Sequence, residues 1–208
     1  MQSGVEKVWI PGPAGRLEGR ILDNGGPRWA LLCHPHPQYG GTMDNKVVTT
    51  VERTLQQLGW STLVFNFRGA GGSEGAFDNG IGEQADLMAA HAWLKACHAP
   101  QRLLLGGFSF GAYVTLNRWQ AVAADALLSI APPVGLWDFD ALVPPQKNWT
   151  VIQGGGDEVV SPAAVLAWLA AQPVMPTLYW RAGVSHFFHG QLVWLKGVIE
   201  LEYKKSLI

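Results

Sequence analysis

Three short stretches carry residue types that together could attack a carbonyl carbon. They are "GFSFG" at Gly107 to Gly111, "GGDE" at Gly155 to Glu158 and "SHFFH" at Ser185 to His189. A serine hydroxyl is a poor nucleophile until a general base takes its proton, and that base needs a further group to orient it. Serine, acid and histidine follow one another here in the order expected when the serine sits on a strand-to-helix turn. The G-x-S-x-G pattern by itself decides little, because a chain with 25 glycines in 208 residues will spell it by accident. It occurs a second time, as "GGSEG" at Gly71 to Gly75.

The flanking elements separate the two serines. "RLLLGG" runs into Ser109 as a strand and "GAYVTLNRW" leaves it as a helix. Such an elbow strains the serine backbone, holds the hydroxyl above the sheet and demands small residues where Gly107 and Gly111 stand. The helix that follows also aims unpaired amides at the site. Ser73 lacks that setting: the strand "LVFNF" ends several residues earlier and "EGAFDNG" is still loop. Ser109 is therefore the expected nucleophile. Asp157, just past the strand "TVIQG", is the favoured acid, with Glu158 as the alternative. His186, past the strand "PTLYWRA", is the favoured base, with His189 as the alternative.

These positions imply a particular scaffold. "VEKVWIP" and "LEGRILD" around "GPAG" read as an antiparallel hairpin. After it, strand-like runs alternate with helical ones: "WALLCHP", "STLVFNF", "RLLLGGF", "ALLSIAP", "TVIQG" and "PTLYWRA" are the strands. "NKVVTTVERTLQQLG", "GEQADLMAAHAWLKACH", "GAYVTLNRWQAV", "SPAAVLAWLAAQ" and "GQLVWLKGVIELEYKK" are the helices, and Ser161 can cap the fourth. Alternation of this kind predicts an α/β fold, a mostly parallel sheet with helices on both faces. Ligands of such sheets bind beyond the carboxyl ends of the strands, where the loops Pro35 to Asp44 and Gly69 to Gly82 also fall.

Bulk properties narrow the function classes. The length suits one domain over residues 1–208, and 48% hydrophobic against 15% charged residues excludes a disordered chain. A net charge of −1 gives no electrostatic basis for binding nucleic acid or an anionic membrane. No run approaches the ~20 apolar residues that span a bilayer, and "MQSGVEKVWIPGPAG" does not read as a signal peptide, so a cytoplasmic protein is expected. The two cysteines, Cys33 and Cys97, read as free buried thiols. His34 and His36 form an H-x-H pair, but no acidic or cysteine partner lies beside it, so no metal site is expected.

"HPHPQYGGTMDNKVV", "NFRGAGGSEG", "GFSFGA" and "SHFFHG" together resemble the α/β-hydrolase superfamily, in a small cap-less bacterial branch distantly related to dienelactone hydrolases. The resemblance covers nearly the whole chain. It implies an eight-stranded sheet with the second strand antiparallel, and a Ser-His-Asp triad on Ser109, His186 and Asp157. It also places Ser73 in a glycine-rich loop beside the site. Two departures stand out. The elbow holds no cysteine, unlike that of dienelactone hydrolases, and "GGG" precedes Asp157 where relatives often carry a bulkier or charged residue, which could loosen the acid.

An oxyanion hole needs two backbone donors aimed at the oxygen that gains charge. Phe110, directly after the nucleophile, supplies one. In "CHPHPQYGG" the prolines have no N–H, so the second donor is His36, with Gln38 or Tyr39 as fallbacks, and the resemblance again points to His36. The connection "PPVGLWDFDALVPPQKN" is long enough for a short helix but not a cap. An open site bordered by Tyr39, Trp137, Phe187 and Phe188 is expected, with ordinary core or rim packing as the alternative role for these aromatics. The function read from these residues is a serine hydrolase of small carboxylic esters or thioesters that needs no cofactor. A peptidase or amidase, or a non-catalytic protein on the same scaffold, are the alternatives.

Overall fold

The computed structural model describes residues 4–204. The start of the N-terminal stretch and Lys205, the last residue of the expected closing helix, lie outside the described residues. Eight strands form one sheet: β1 Glu6–Gly12, β2 Gly15–Leu22, β3 Arg28–Cys33, β4 Ser61–Phe65, β5 Arg102–Phe108, β6 Ala126–Ile130, β7 Trp149–Gly154 and β8 Thr177–Arg181. Their order across the sheet is β1-β2-β4-β3-β5-β6-β7-β8. β2 pairs antiparallel with both β1 and β4, and every later pairing is parallel. The expected hairpin and the single antiparallel insertion are both present.

The central strands are apolar along their whole length because both faces are covered. Side chains alternate across a strand, so Trp29, Leu31 and Cys33 of β3 enter one core while Ala30 and Leu32 enter the other. The first core is closed by helices α2 (Ile81–His98), α3 (Phe110–Val122) and α4 (Pro162–Ala170). The second is closed by α1 (Lys46–Gln57) and α5 (Leu192–Tyr203). α1 presents Val47, Val48, Val51 and Leu55 to that core at helical spacing. Each such fully buried aliphatic side chain contributes about 2 kcal/mol. Side chains cap both α1 and α4: Asn45 accepts from Val47 N, and Ser161 accepts from Ala164 N as expected.

Two expectations need correction. Residues 131–148, between β6 and β7, contain turns and an isolated bridge between Val134 and Trp137, with no helix. Proline-rich ends and scattered glycine and aspartate leave that segment without helical periodicity. Cys97 is exposed, because it falls on the outer face of α2; Cys33 is buried as expected.

Candidate active site

Ser109, Asp157 and His186 lie beyond the carboxyl ends of β5, β7 and β8 and meet there. Ser109 stands between β5 and α3 with φ +53° and ψ −120°, a conformation that L side chains rarely adopt. Its N–H donates to Ile130 O at 2.8 Å, tying the turn to the neighbouring strand β6. The flanking glycines are required for space. A Cβ on Gly107 would collide with the Gly111 backbone, and one on Gly111 with the carbonyl oxygens of Cys33 and His34.

The three side chains form a hydrogen-bonded line. Ser109 Oγ lies 3.1 Å from His186 Nε2, and His186 Nδ1 lies 2.8 Å from Asp157 Oδ2. Asp157 Oδ1 accepts from Val159 N at 2.9 Å and Val160 N at 2.7 Å. Burial alone would push the Asp157 carboxyl up, but the His186 and backbone donors outweigh it and hold it below the usual carboxylate range. The carboxylate oxygens can only accept, so the ring nitrogen beside Oδ2 must be the donor of that hydrogen bond. Asp157 is therefore ionised, Nδ1 of His186 carries the ring proton, and Nε2 is left to accept from the Ser109 hydroxyl.

The alternatives raised for acid and base occupy different places. Glu158 Oε2 accepts from the His186 backbone N–H at 3.1 Å, so the adjacent acids grip the histidine at ring and backbone. His189 is exposed and precedes α5, with its N–H on Ser185 Oγ at 3.3 Å. Ser73 Oγ donates to Asn66 O at 2.7 Å and accepts from Glu18 N at 2.9 Å. That hydroxyl is committed to backbone inside its glycine-rich loop.

The "GGG" before Asp157 does not loosen the acid. None of these glycines uses a positive φ; they permit close approach instead. A Cβ on Gly154 would collide with Val184 O, in the loop that carries His186. Gly155 N donates to Arg181 O at 2.8 Å and Gly156 N to Val184 O at 3.0 Å, zipping the acid loop to the histidine loop.

Residues 34–41 wrap the other side of Ser109. His34 is fully buried; Nδ1 donates to Pro35 O at 2.6 Å and Nε2 accepts from Phe67 N at 2.9 Å. Burial lowers its pKa to about 4, so the ring is neutral and braces the loop after β3 against the end of β4. His36 Nδ1 accepts from Gln38 N at 3.2 Å, and its ring packs on Tyr39, Phe77 and Phe110 with centroids 4.7, 4.6 and 5.0 Å away. Gln38 N and Tyr39 N are both turned back onto His36, the latter onto its carbonyl at 3.1 Å. Among the described residues, neither the His36 N–H nor the Phe110 N–H has a protein acceptor. Burial, with Asp86 adding to it, pushes the Cys33 thiol up and keeps it protonated.

The Ser109 hydroxyl opens into a cleft of about 320 Å³ lined by Pro35, His36, Tyr39, Asn45, Val159 and Phe187, together with His186 and the glycines of the 40–41 turn. Among the described residues, no acidic or basic side chain other than histidine lines it. Tyr39 and Phe187 border the cleft, but Phe188, expected beside them, turns inward to the core under α5 and stacks on Trp194 with ring centroids 6.1 Å apart. Trp137 does not reach the cleft; its ring packs behind, on Phe110 at 5.0 Å and Tyr113 at 4.9 Å. A larger cleft, about 510 Å³, lies at the opposite end of the sheet, between Trp119 and Lys147. It is remote from the Ser109 line, so size does not identify the site here. Asn45, Val159 and the anchoring role of Glu158 were missed in the sequence, where nothing local marks them. Gln153 was also missed, although a lone amide in the buried strand β7, four positions before the acid, is a readable signal.

No protein-family model matches the chain. A solved structure from Xanthomonas campestris, described as an α/β serine hydrolase without lid, is 41% identical with a TM-score of 0.92, covering 99% of this chain and 96% of that one. An α-β serine hydrolase homologue from Coxiella burnetii is 39% identical with a TM-score of 0.88, covering 95% and 97%. An uncharacterised protein of Rickettsia prowazekii is 40% identical over 164 residues, 76% of this chain and 69% of that protein.

Proposed function

The chain belongs to the α/β serine hydrolases without a lid, and from that premise we propose that it cleaves small uncharged carboxylic esters or thioesters through an acyl-enzyme on Ser109. The observation that carries this reading is the unbroken line from Ser109 Oγ through His186 to Asp157 at the mouth of an uncharged cleft. His186 Nε2 takes the Ser109 proton as Oγ bonds to the carbonyl carbon, and the carbonyl electron pair moves onto oxygen. The His36 and Phe110 N–H groups, both without protein acceptors, stabilise that oxyanion, aided by the N-terminus of α3. His186 then returns the proton to the departing alkoxide or thiolate, leaving the acyl group on Ser109. Water enters with the same histidine as base, and Ser109 leaves as the free hydroxyl. Asp157 orients the imidazole and stabilises its charged form throughout.

Esters are favoured over peptides because, among the described residues, the cleft offers no charged side chain to hold a chain terminus, and no helix is inserted between β6 and β7 to enclose one. Purified protein should hydrolyse short-chain p-nitrophenyl esters, and Ser109→Ala should abolish turnover. Turnover by Ser109→Ala at the wild-type rate would sink the proposal.

A further inference from the structure

Gln153 sits at the end of β7 with its side chain wholly buried. Its Nε2 donates to Gly154 O at 3.0 Å and to Asp157 Oδ2 at 3.1 Å. That Oδ2 is the oxygen that also receives His186 Nδ1. The other end of the amide, Oε1, has no hydrogen-bond partner among the described residues. Turning the amide over would be worse, since it would set oxygen against a carbonyl and a carboxylate. A buried amide with an orphaned oxygen is a poor packing residue, so its stabilising contact is on the donor side.

The donor completes a set. A carboxylate offers about four acceptor positions. Val159 N and Val160 N occupy Oδ1, while His186 Nδ1 and Gln153 Nε2 occupy Oδ2. With all of them taken, the carboxylate can neither rotate nor recruit water in place of the imidazole.

We propose that Gln153 is a positioning residue for the hydrolytic step, fixing Asp157 Oδ2 on His186 through its amide N–H. The proposal rests on the Ser109–His186–Asp157 reading above. Removing the donor leaves Asp157 more basic and freer to turn, so His186 holds its proton more tightly and is aimed less well. A carboxyl at the same position can donate to Oδ2 only while it is protonated.

The test compares wild type, Asp157→Asn, Gln153→Met and Gln153→Glu by fluorophosphonate labelling rate and by kcat and KM for an ester, from about pH 5 to about pH 10. Gln153→Met should lose about tenfold in kcat with KM little changed, and its acid limb should move to higher pH. Gln153→Glu, which keeps the side-chain shape, should gain a second, alkaline limb as its own carboxyl ionises. A Gln153→Met profile that superimposes on wild type would overturn the proposal, as would a Gln153→Glu profile with no new limb. The Gln153→Glu profile decides alone if Gln153→Met does not fold. If Asp157→Asn is crippled while both Gln153 variants match wild type, only this proposal falls. If wild type neither labels nor hydrolyses, the triad reading falls and takes this one with it.

Discussion

Two neighbouring acids hold His186, but they do different things, and kinetics should separate them. Asp157 is buried against the imidazole and fixes which ring nitrogen carries the proton. Glu158 is exposed and grips only the backbone N–H. Asp157→Asn should reduce kcat by about 10³-fold or more, because an amide can present its own N–H to Nδ1 and stabilises the wrong tautomer. Glu158→Gln keeps an acceptor for the His186 N–H and should stay within about tenfold of wild type. Comparable losses in steady-state kcat for the two variants would contradict that division. The sequence left Asp157 and Glu158 as alternatives because both adjoin the strand end. Which acid turns inward is decided by the Val159 and Val160 amides.

At the scale of elements, the site is a set of strand ends held in register by small residues and one buried histidine. The elbow can sit over β3 only because Gly111 lets α3 approach the Cys33 and His34 carbonyls. Gly111→Ala should cost about 2 kcal/mol in denaturant unfolding and lower the fluorophosphonate labelling rate, since backbone must shift to admit the methyl group. His34 braces the loop after β3 against the end of β4 and titrates at about 4 when folded, against an ordinary value of 6.5. Between those values the unfolded chain takes up a proton that the folded one refuses. Its contribution is complete above about pH 6.5 and drains away as pH falls, by about 3 kcal/mol by pH 4. His34→Gln should flatten that fall in urea midpoints measured across the same range. A wild-type slope retained in His34→Gln would show that other groups carry it.

At the scale of the whole molecule, the lid-free architecture leaves selectivity to the cleft. A carboxylate in the acyl part would enter a cleft with no cationic side chain among the described residues, losing hydration with no partner. A dicarboxylic half-ester should therefore be cleaved at least about tenfold less efficiently than its neutral methyl diester, read as kcat/KM. Equal values would mean that charge is accommodated outside the described lining. Much of this architecture was legible in the sequence: strand and helix alternation reports local periodicity, and all eight strands lie where the sequence places them, the first two from the turn between them and the rest from apolar runs. Trp137, the exposed face of Cys97 and the glycines before Asp157 were misread or left ambiguous for one reason. Their roles depend on which distant segment packs against them, and periodicity does not encode that. The most direct measurement is the mass of the adduct formed with a fluorophosphonate probe, mapped to a peptide, in wild type, Ser109→Ala and Ser73→Ala. The adduct is expected on Ser109, lost in Ser109→Ala and unchanged in Ser73→Ala; labelling that survives in Ser109→Ala would contradict the assignment of the nucleophile.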